Sequence, residues 1–255
     1  IVNWTRFNRR PIIVIGMHRS GTTMFTKALE QCGVFMGGDL SSNHESYSFT
    51  HFNEHLLEFS GGSWHNPVEI NESSYKLDEK QFAQQFLHYK RKPLAAAAFV
   101  FGGKWGWKDP RNTFTLPYWI KYYFKEPLVI HVYRNGLDVA MSLQKRNVNL
   151  AGIERVDKLN ELKTCFLLWE SYLKQAFSLE NKLGLKVISV SYENLLNAEE
   201  NTVLNVEKGL QISGLEKVLK NLVVKRPAAD GDKSLDSIRS IIEQSTWMRK
   251  LGYLD

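Results

Sequence analysis

Pro11-Ile-Ile-Val-Ile-Gly-Met-His-Arg-Ser-Gly-Thr-Thr-Met24 is the stretch around which the rest of the chain arranges itself. From Pro11 to Ile15 every residue is apolar and most are β-branched, with no alternation. That is the pattern of a short strand covered on both faces. Gly16 breaks the run, Ser20 to Thr23 supply hydroxyls and a glycine, and Met24 to Leu29 open a helical pattern. A strand, a tight turn and a helix N-terminus together make an anion site. The first helical N–H groups lack internal partners, and the macrodipole adds partial positive charge.

The turn reads G-x-x-x-x-G-T-T, one residue away from the phosphate loop G-x-x-x-x-G-K-[ST]. The lysine that would reach the outer phosphates of a nucleoside triphosphate is Thr22, and a cation stands earlier, at Arg19. Such a loop suits a terminal phosphate or phosphosulfate better than a magnesium triphosphate.

His18-Arg-Ser-Gly-Thr-Thr23 resembles the 5′-phosphosulfate loop of the sulfotransferases that use PAPS (3′-phosphoadenosine 5′-phosphosulfate). Gly16 to Thr23 is most similar to a bacterial-type branch of that family. The resemblance implies an α/β fold, a parallel sheet flanked by helices in a P-loop-like sulfotransferase architecture. It implies donor contacts from His18, Arg19, Ser20, Gly21, Thr22 and Thr23, and no required metal.

At 255 residues the chain can bury a full core, and with neither linker nor repeat the expectation is one domain over 1–255. No apolar run approaches the roughly 20 residues that span a bilayer, so stable membrane insertion is not expected. The opening Ile1-Val-Asn-Trp is neither an initiator methionine nor a signal peptide, and a trimmed N-terminus is expected. Cys32 and Cys165 lack metal-ligand spacing and read as buried thiols, which favours a reducing, cytoplasmic setting. The net charge of +6 fits an anionic ligand. Nucleic acid is disfavoured, because no basic helix carries interleaved aromatics and no zinc spacing occurs.

Along the chain, Met24–Gln31 reads as the first helix and Tyr47–Phe59 as the second, with a polar loop between them. In that loop Asn43-His-Glu-Ser-Tyr-Ser-Phe49 is similar to an N-x-E-x-Y-like segment of the bacterial branch, whose Glu faces the acceptor. Glu45 takes that place. Trp64 and His65 either wall an acceptor pocket or pack beneath their loop. Leu77–Tyr89 is amphipathic, and Leu94–Phe101 fits a helix end or a strand.

Lys104-Trp-Gly-Trp-Lys-Asp-Pro-Arg111 contains a short strand that ends at Lys108 or Asp109, since Pro110 opposes further pairing. Ligands of open parallel sheets bind beyond strand carboxyl ends, which brings Lys108, Asp109 and Arg111 to the first loop. By resemblance Lys108 reaches the transferring sulfuryl group, and Arg111 belongs to the same site. Asn112 is the expected N-cap of a helix over Thr113–Phe124. Pro127–Tyr133 is the next strand, with Arg134 at its end and Ser142 two turns into the following helix. This segment resembles the family's 3′-phosphate motif, in which that Arg and that Ser hold the phosphate.

Val156–Leu183 has core spacing throughout, and Lys186–Ser191 is a further strand. Of the residues that follow, Tyr192 is placed near the adenine by resemblance, while Glu193 reads as structural. A helix over Ala198–Leu210 comes next, then a charged loop in which Lys225 and Arg226 are candidates to close over the 3′-phosphate, and a last helix over Leu235–Leu251.

The leading reading is a sulfotransferase that moves a sulfuryl group from PAPS, leaving PAP, to a hydroxyl or amine of a small-molecule or carbohydrate acceptor. Arg19 and Lys108 meet the developing charge. The base is Glu45 first, His44 second and His18 third; Asp109 is weakened by Arg111. A P-loop kinase would need a loop lysine, Mg²⁺ and an acidic strand end. A non-catalytic nucleotide-binding module would keep both phosphate motifs without a base. Oligomeric state and acceptor identity stay open at this level.

Overall fold

The computed structural model describes residues 10–70, 103–150, 152–222 and 238–255. Among them, four parallel strands form one sheet in the order β2–β1–β3–β4: β1 Ile12–Ile15, β2 Gly106–Lys108, β3 Leu128–Tyr133 and β4 Val187–Ser191. β1 pairs with both β2 and β3, Val14 lying opposite Lys108 on one side and Ile130 on the other. The strand order reverses at β1, so the crevice beyond the tips of β1 and β3 is the topological switch point.

The unbroken apolar run of β1 follows from this central position. Ile12 and Val14 face one core with Phe25, Leu29, Ile130 and Val190, beneath α1 (Thr22–Gln31) and two later helices, here α7 (Glu200–Leu210) and α8 (Leu215–Leu222). Ile13 and Ile15 face the opposite core, where Trp105, Trp107 and Trp119 pack with Phe49 and Phe52. That second core is roofed by α2 (Tyr47–Phe59), α3 (Asn112–Tyr122) and α5 (Leu162–Leu183). Phe49 lies flat on Trp107, centroids 4.0 Å apart and planes within 7°, a contact worth about 1 kcal/mol beyond its buried area.

The remaining helices are α4 (Gly136–Val148), α6 (Tyr192–Leu196), α9 (Arg239–Gln244) and α10 (Thr246–Lys250).

Several boundaries depart from the sequence reading. The first helix starts at Thr22, because Gly21 (φ 90°) turns the chain into it one residue after the loop. Arg111, not Asn112, stands at the N-cap of α3; the Asn112 side chain is buried and accepts from Asn53 Nδ2 (2.8 Å) and Trp107 Nε1 (3.1 Å). The long helix begins only at Leu162, after a 3₁₀ turn over Asp157–Asn160 that buries Leu159 at helix-like spacing. Asn147 clamps that turn, donating to the Val156 carbonyl and to Asn160 and accepting from Val156 N. The last helix is broken at Ser245, whose hydroxyl caps α10 by accepting from Met248 N and donates to Glu170. The expectations for Leu77–Tyr89, Leu94–Phe101, Lys225 and Arg226 lie outside the described residues.

Candidate active site

Beyond the strand tips lies a cavity of about 400 Å³. The ends of all four strands reach it: His18, Arg19 and Gly21 to Thr23 after β1, Lys108 at the end of β2 with Pro110 beyond it, Arg134 after β3 and Tyr192 after β4. The loop after β1 is held close by its glycines. A Cβ on Gly16 (φ 136°) would stand 2.2 Å from the Val132 carbonyl oxygen, and one on Gly21 would enter the Tyr192 ring at 2.1 Å. Only glycine lets β1 turn this tightly against β3 and α6. Arg19 sits at φ 70°, a left-handed conformation uncommon for an arginine, and its Nε donates to Ser142 Oγ at 2.9 Å.

The lining is strongly basic. Among the described residues, Arg19, Lys27, Lys108, Arg134 and Arg146 face the cavity against one lining carboxylate, Glu45. Arg134 donates to Asp138 at 2.7 Å and lies 5.0 Å from the centre of the Tyr192 ring, while its buried Nε has no partner among the described residues. The backbone at that turn is braced: Asn135 caps α4, and its own N–H donates to Glu193, which also accepts from Tyr253 OH at 2.8 Å. Glu193 is therefore engaged within the fold, and burial followed by that carboxylate pushes the Tyr253 phenol far above its ordinary value.

Lys108 and Glu45 meet directly, Nζ donating to Oε1 at 2.8 Å, with the lysine side chain 1% exposed. Burial lowers the Lys108 pKa below its ordinary value, and Glu45 and then Asp109 oppose that shift. Thr23 Oγ1 is 3.5 Å from the same Nζ and donates to the Asn43 carbonyl, which ties the Glu45 loop to the start of α1. Asp39 secures the other side of that loop, accepting from Ser46 Oγ and from both the N–H and hydroxyl of Ser48.

His44 does not face the cavity. It adopts φ 57°, and its Nδ1 lies 2.8 Å from Glu30 of α1. His18 does line it, packed edge-on to Trp64 with Nε2 buried and without a partner among the described residues. Burial, and then the cations Arg111, Lys108, Arg146 and Arg19, hold His18 well below its ordinary pKa, so its ring is neutral at pH 7.

Arg111 and Asp109 are absent from the lining. Asp109 is fully buried, accepting from Arg111 N and Nη1 through one oxygen and from Asn53 through the other. Arg111 turns toward Asp109 and Glu54 and does not itself line the cavity, although its charge acts on His18, which does. Ser20 is buried within the loop, its hydroxyl without a partner among the described residues, whereas Thr22, Thr23, Ser142 and Tyr192 line the cavity. Trp64 packs on His18, and its carbonyl accepts from Tyr172. Lys27 and Arg146 were missed by the sequence reading. Each stands one helical turn beyond a recognised residue, Thr23 and Ser142, and that spacing was a usable signal.

The chain belongs to the sulfotransferase family, whose model matches residues 11–216. Sulfuryl transfer is the general chemistry of that family. A comparison with curated proteins gives no match. No described helix is long and apolar enough to cross a membrane.

Proposed function

We propose that the protein is a PAPS-dependent sulfotransferase acting on a hydroxyl or amine of a small-molecule or carbohydrate acceptor. The observation that carries this is the opening of the Arg19 loop and of Arg134 into one cleft at the switch point, with Lys108 lining the same cleft from the tip of β2 on the other side of β1. The buried atoms Ser20 Oγ, His18 Nε2 and Arg134 Nε, without partners among the described residues and set beside the loop that Gly16 and Gly21 tighten, fit a multiply anionic nucleotide.

When bound, PAPS supplies an activated sulfuryl group and departs as PAP. In this reading Arg134 and Ser142 hold the 3′-phosphate, the guanidinium forking onto phosphate oxygens. The Ser20–Thr23 turn, the neutral His18 and Arg19 take the 5′ end, and Tyr192 offers its ring toward the adenine. Lys108 stabilises charge on the sulfuryl oxygens from a buried position, where a fixed cation acts most strongly. Glu45 Oε1 receives the acceptor's proton once Lys108 Nζ turns from it to the donor. The pair at 2.8 Å thus holds both groups ready and close. His44 is left to fix the loop against Glu30. The free Cys32 and Cys165 support a reducing, cytoplasmic setting.

Thermal shift with PAP, ADP and ATP, each with and without Mg²⁺, tests the donor. PAP should stabilise the protein most, with no gain from Mg²⁺. Preference for Mg-ATP would overturn the reading.

A further inference from the structure

α2 turns one face to solvent on the side away from its core residues Phe49, Phe52 and Leu56, and two histidines stand there one turn apart, His51 and His55. Both are exposed, and their Nε2 atoms are 3.1 Å apart with ring planes at 85°. We propose that His51 and His55 form a bidentate site for a divalent first-row transition ion of the zinc or nickel type.

The geometry fits two nitrogen ligands of one ion. With metal–nitrogen bonds of about 2.0–2.1 Å, a 3.1 Å separation subtends about 95–100° at the metal, between the octahedral and tetrahedral values. Both Nε2 lone pairs are needed for this, so each ring must carry its proton on Nδ1. Glu58 Oε2 lies 3.7 Å from His55 Nδ1, beyond hydrogen-bond reach, and places negative charge on the side where that ring would carry its proton. Without an ion one neutral ring donates its Nε2–H to the other across this gap, and binding requires that ring to move its proton to Nδ1, with no net release. Imidazole pairs select such ions over Mg²⁺ or Ca²⁺, which prefer oxygen. Among the described residues no group of three or more His, Cys, Asp or Glu side chains could hold an ion, so water completes the coordination.

The site spans one particular turn. Between the two histidines lie Asn53, which donates to Asp109 and Asn112, and Glu54, which pairs with Arg111 at 3.6 Å. An ion bridging His51 and His55 would therefore staple the turn of α2 that braces the loop following Lys108. Its effect is to stabilise the fold without entering the cleft.

The test is calorimetric titration of the tag-free chain with Zn²⁺ and Ni²⁺, beside thermal shift and with Mg²⁺ as control. Expected are saturable one-to-one binding, a rise in melting temperature with Zn²⁺, and loss of both in His51→Ala and in His55→Ala, each weakening affinity by about tenfold or more. Glu58→Gln should weaken binding less. Neither histidine touches the cleft, and both variants should fold and bind PAP as the parent does. Absence of saturable binding up to about 1 mM ion, or binding that survives both substitutions, overturns the proposal.

Discussion

Replacing Glu45 by Gln removes one charge from a pair whose other member is almost wholly buried, and the consequences for stability and for chemistry separate. At 2.8 Å and an effective dielectric of about 20, the attraction between Lys108 and Glu45 is about 6 kcal/mol before desolvation is counted. Burial of the ammonium offsets most of that, and Gln keeps an oxygen to accept from Nζ. The net loss should be about 1–3 kcal/mol, or roughly 3–10 °C in melting temperature for a chain of this size. The loss should depend on pH. Burial already lowers the Lys108 pKa, with Glu45 opposing, so removing that carboxylate lowers it further. A lysine depressed in the folded state costs stability while it is charged, and the cost disappears as pH rises toward its unfolded value of 10.5. The gap between parent and variant should therefore narrow on the alkaline side. Transfer, assayed as acceptor-dependent PAP release, should fall by about 10²- to 10⁴-fold as expected for loss of a general base, with PAP affinity preserved. A variant that still transfers would move the base elsewhere. A stability gap independent of pH would mean that Lys108 is solvated once its partner is gone.

Arg134→Ala should weaken PAP binding by about 10- to 100-fold through loss of charge-assisted hydrogen bonds, and unchanged affinity by calorimetry would refute the 3′-phosphate assignment. Lys108→Ala should lower turnover by about 10²- to 10³-fold with little change in PAP affinity; equal losses in both would make it a binding residue. His44→Asn keeps a residue tolerant of left-handed backbone while removing the imidazole. It should leave turnover nearly intact and cost at most about 1 kcal/mol in chemical denaturation, because the pair with Glu30 is partly exposed; abolished transfer would make His44 the base.

Local chemistry made the strands and the turns at their ends legible in the chain. A β-branched run ended by Gly16, a strand ended before Pro110, and an arginine followed two turns later by Ser142 are short-range patterns, set by sterics and helical spacing. The sheet and its family follow from such patterns. Helix starts and side-chain directions were less legible because long-range partners competed for them. Asn112 looks like a cap, yet Asn53 and Trp107, 59 and 5 residues away in sequence, draw its side chain into the core. Arg111 looks like a ligand, yet the buried carboxylate of Asp109 claims it, since an unpaired charge there would cost several kcal/mol.

The sequence by itself determined that a strand–glycine turn–helix unit, a strand-end lysine and a strand-end arginine exist, because each depends on neighbours in the chain. Only the tertiary structure decided that Lys108 faces Glu45 across 63 residues, that His44 turns to Glu30 instead, and that Arg146 joins the cleft. Those outcomes depend on which helix packs over which strand tip, and on every buried charge finding a partner. Pairing of that kind is settled between elements, after each has formed.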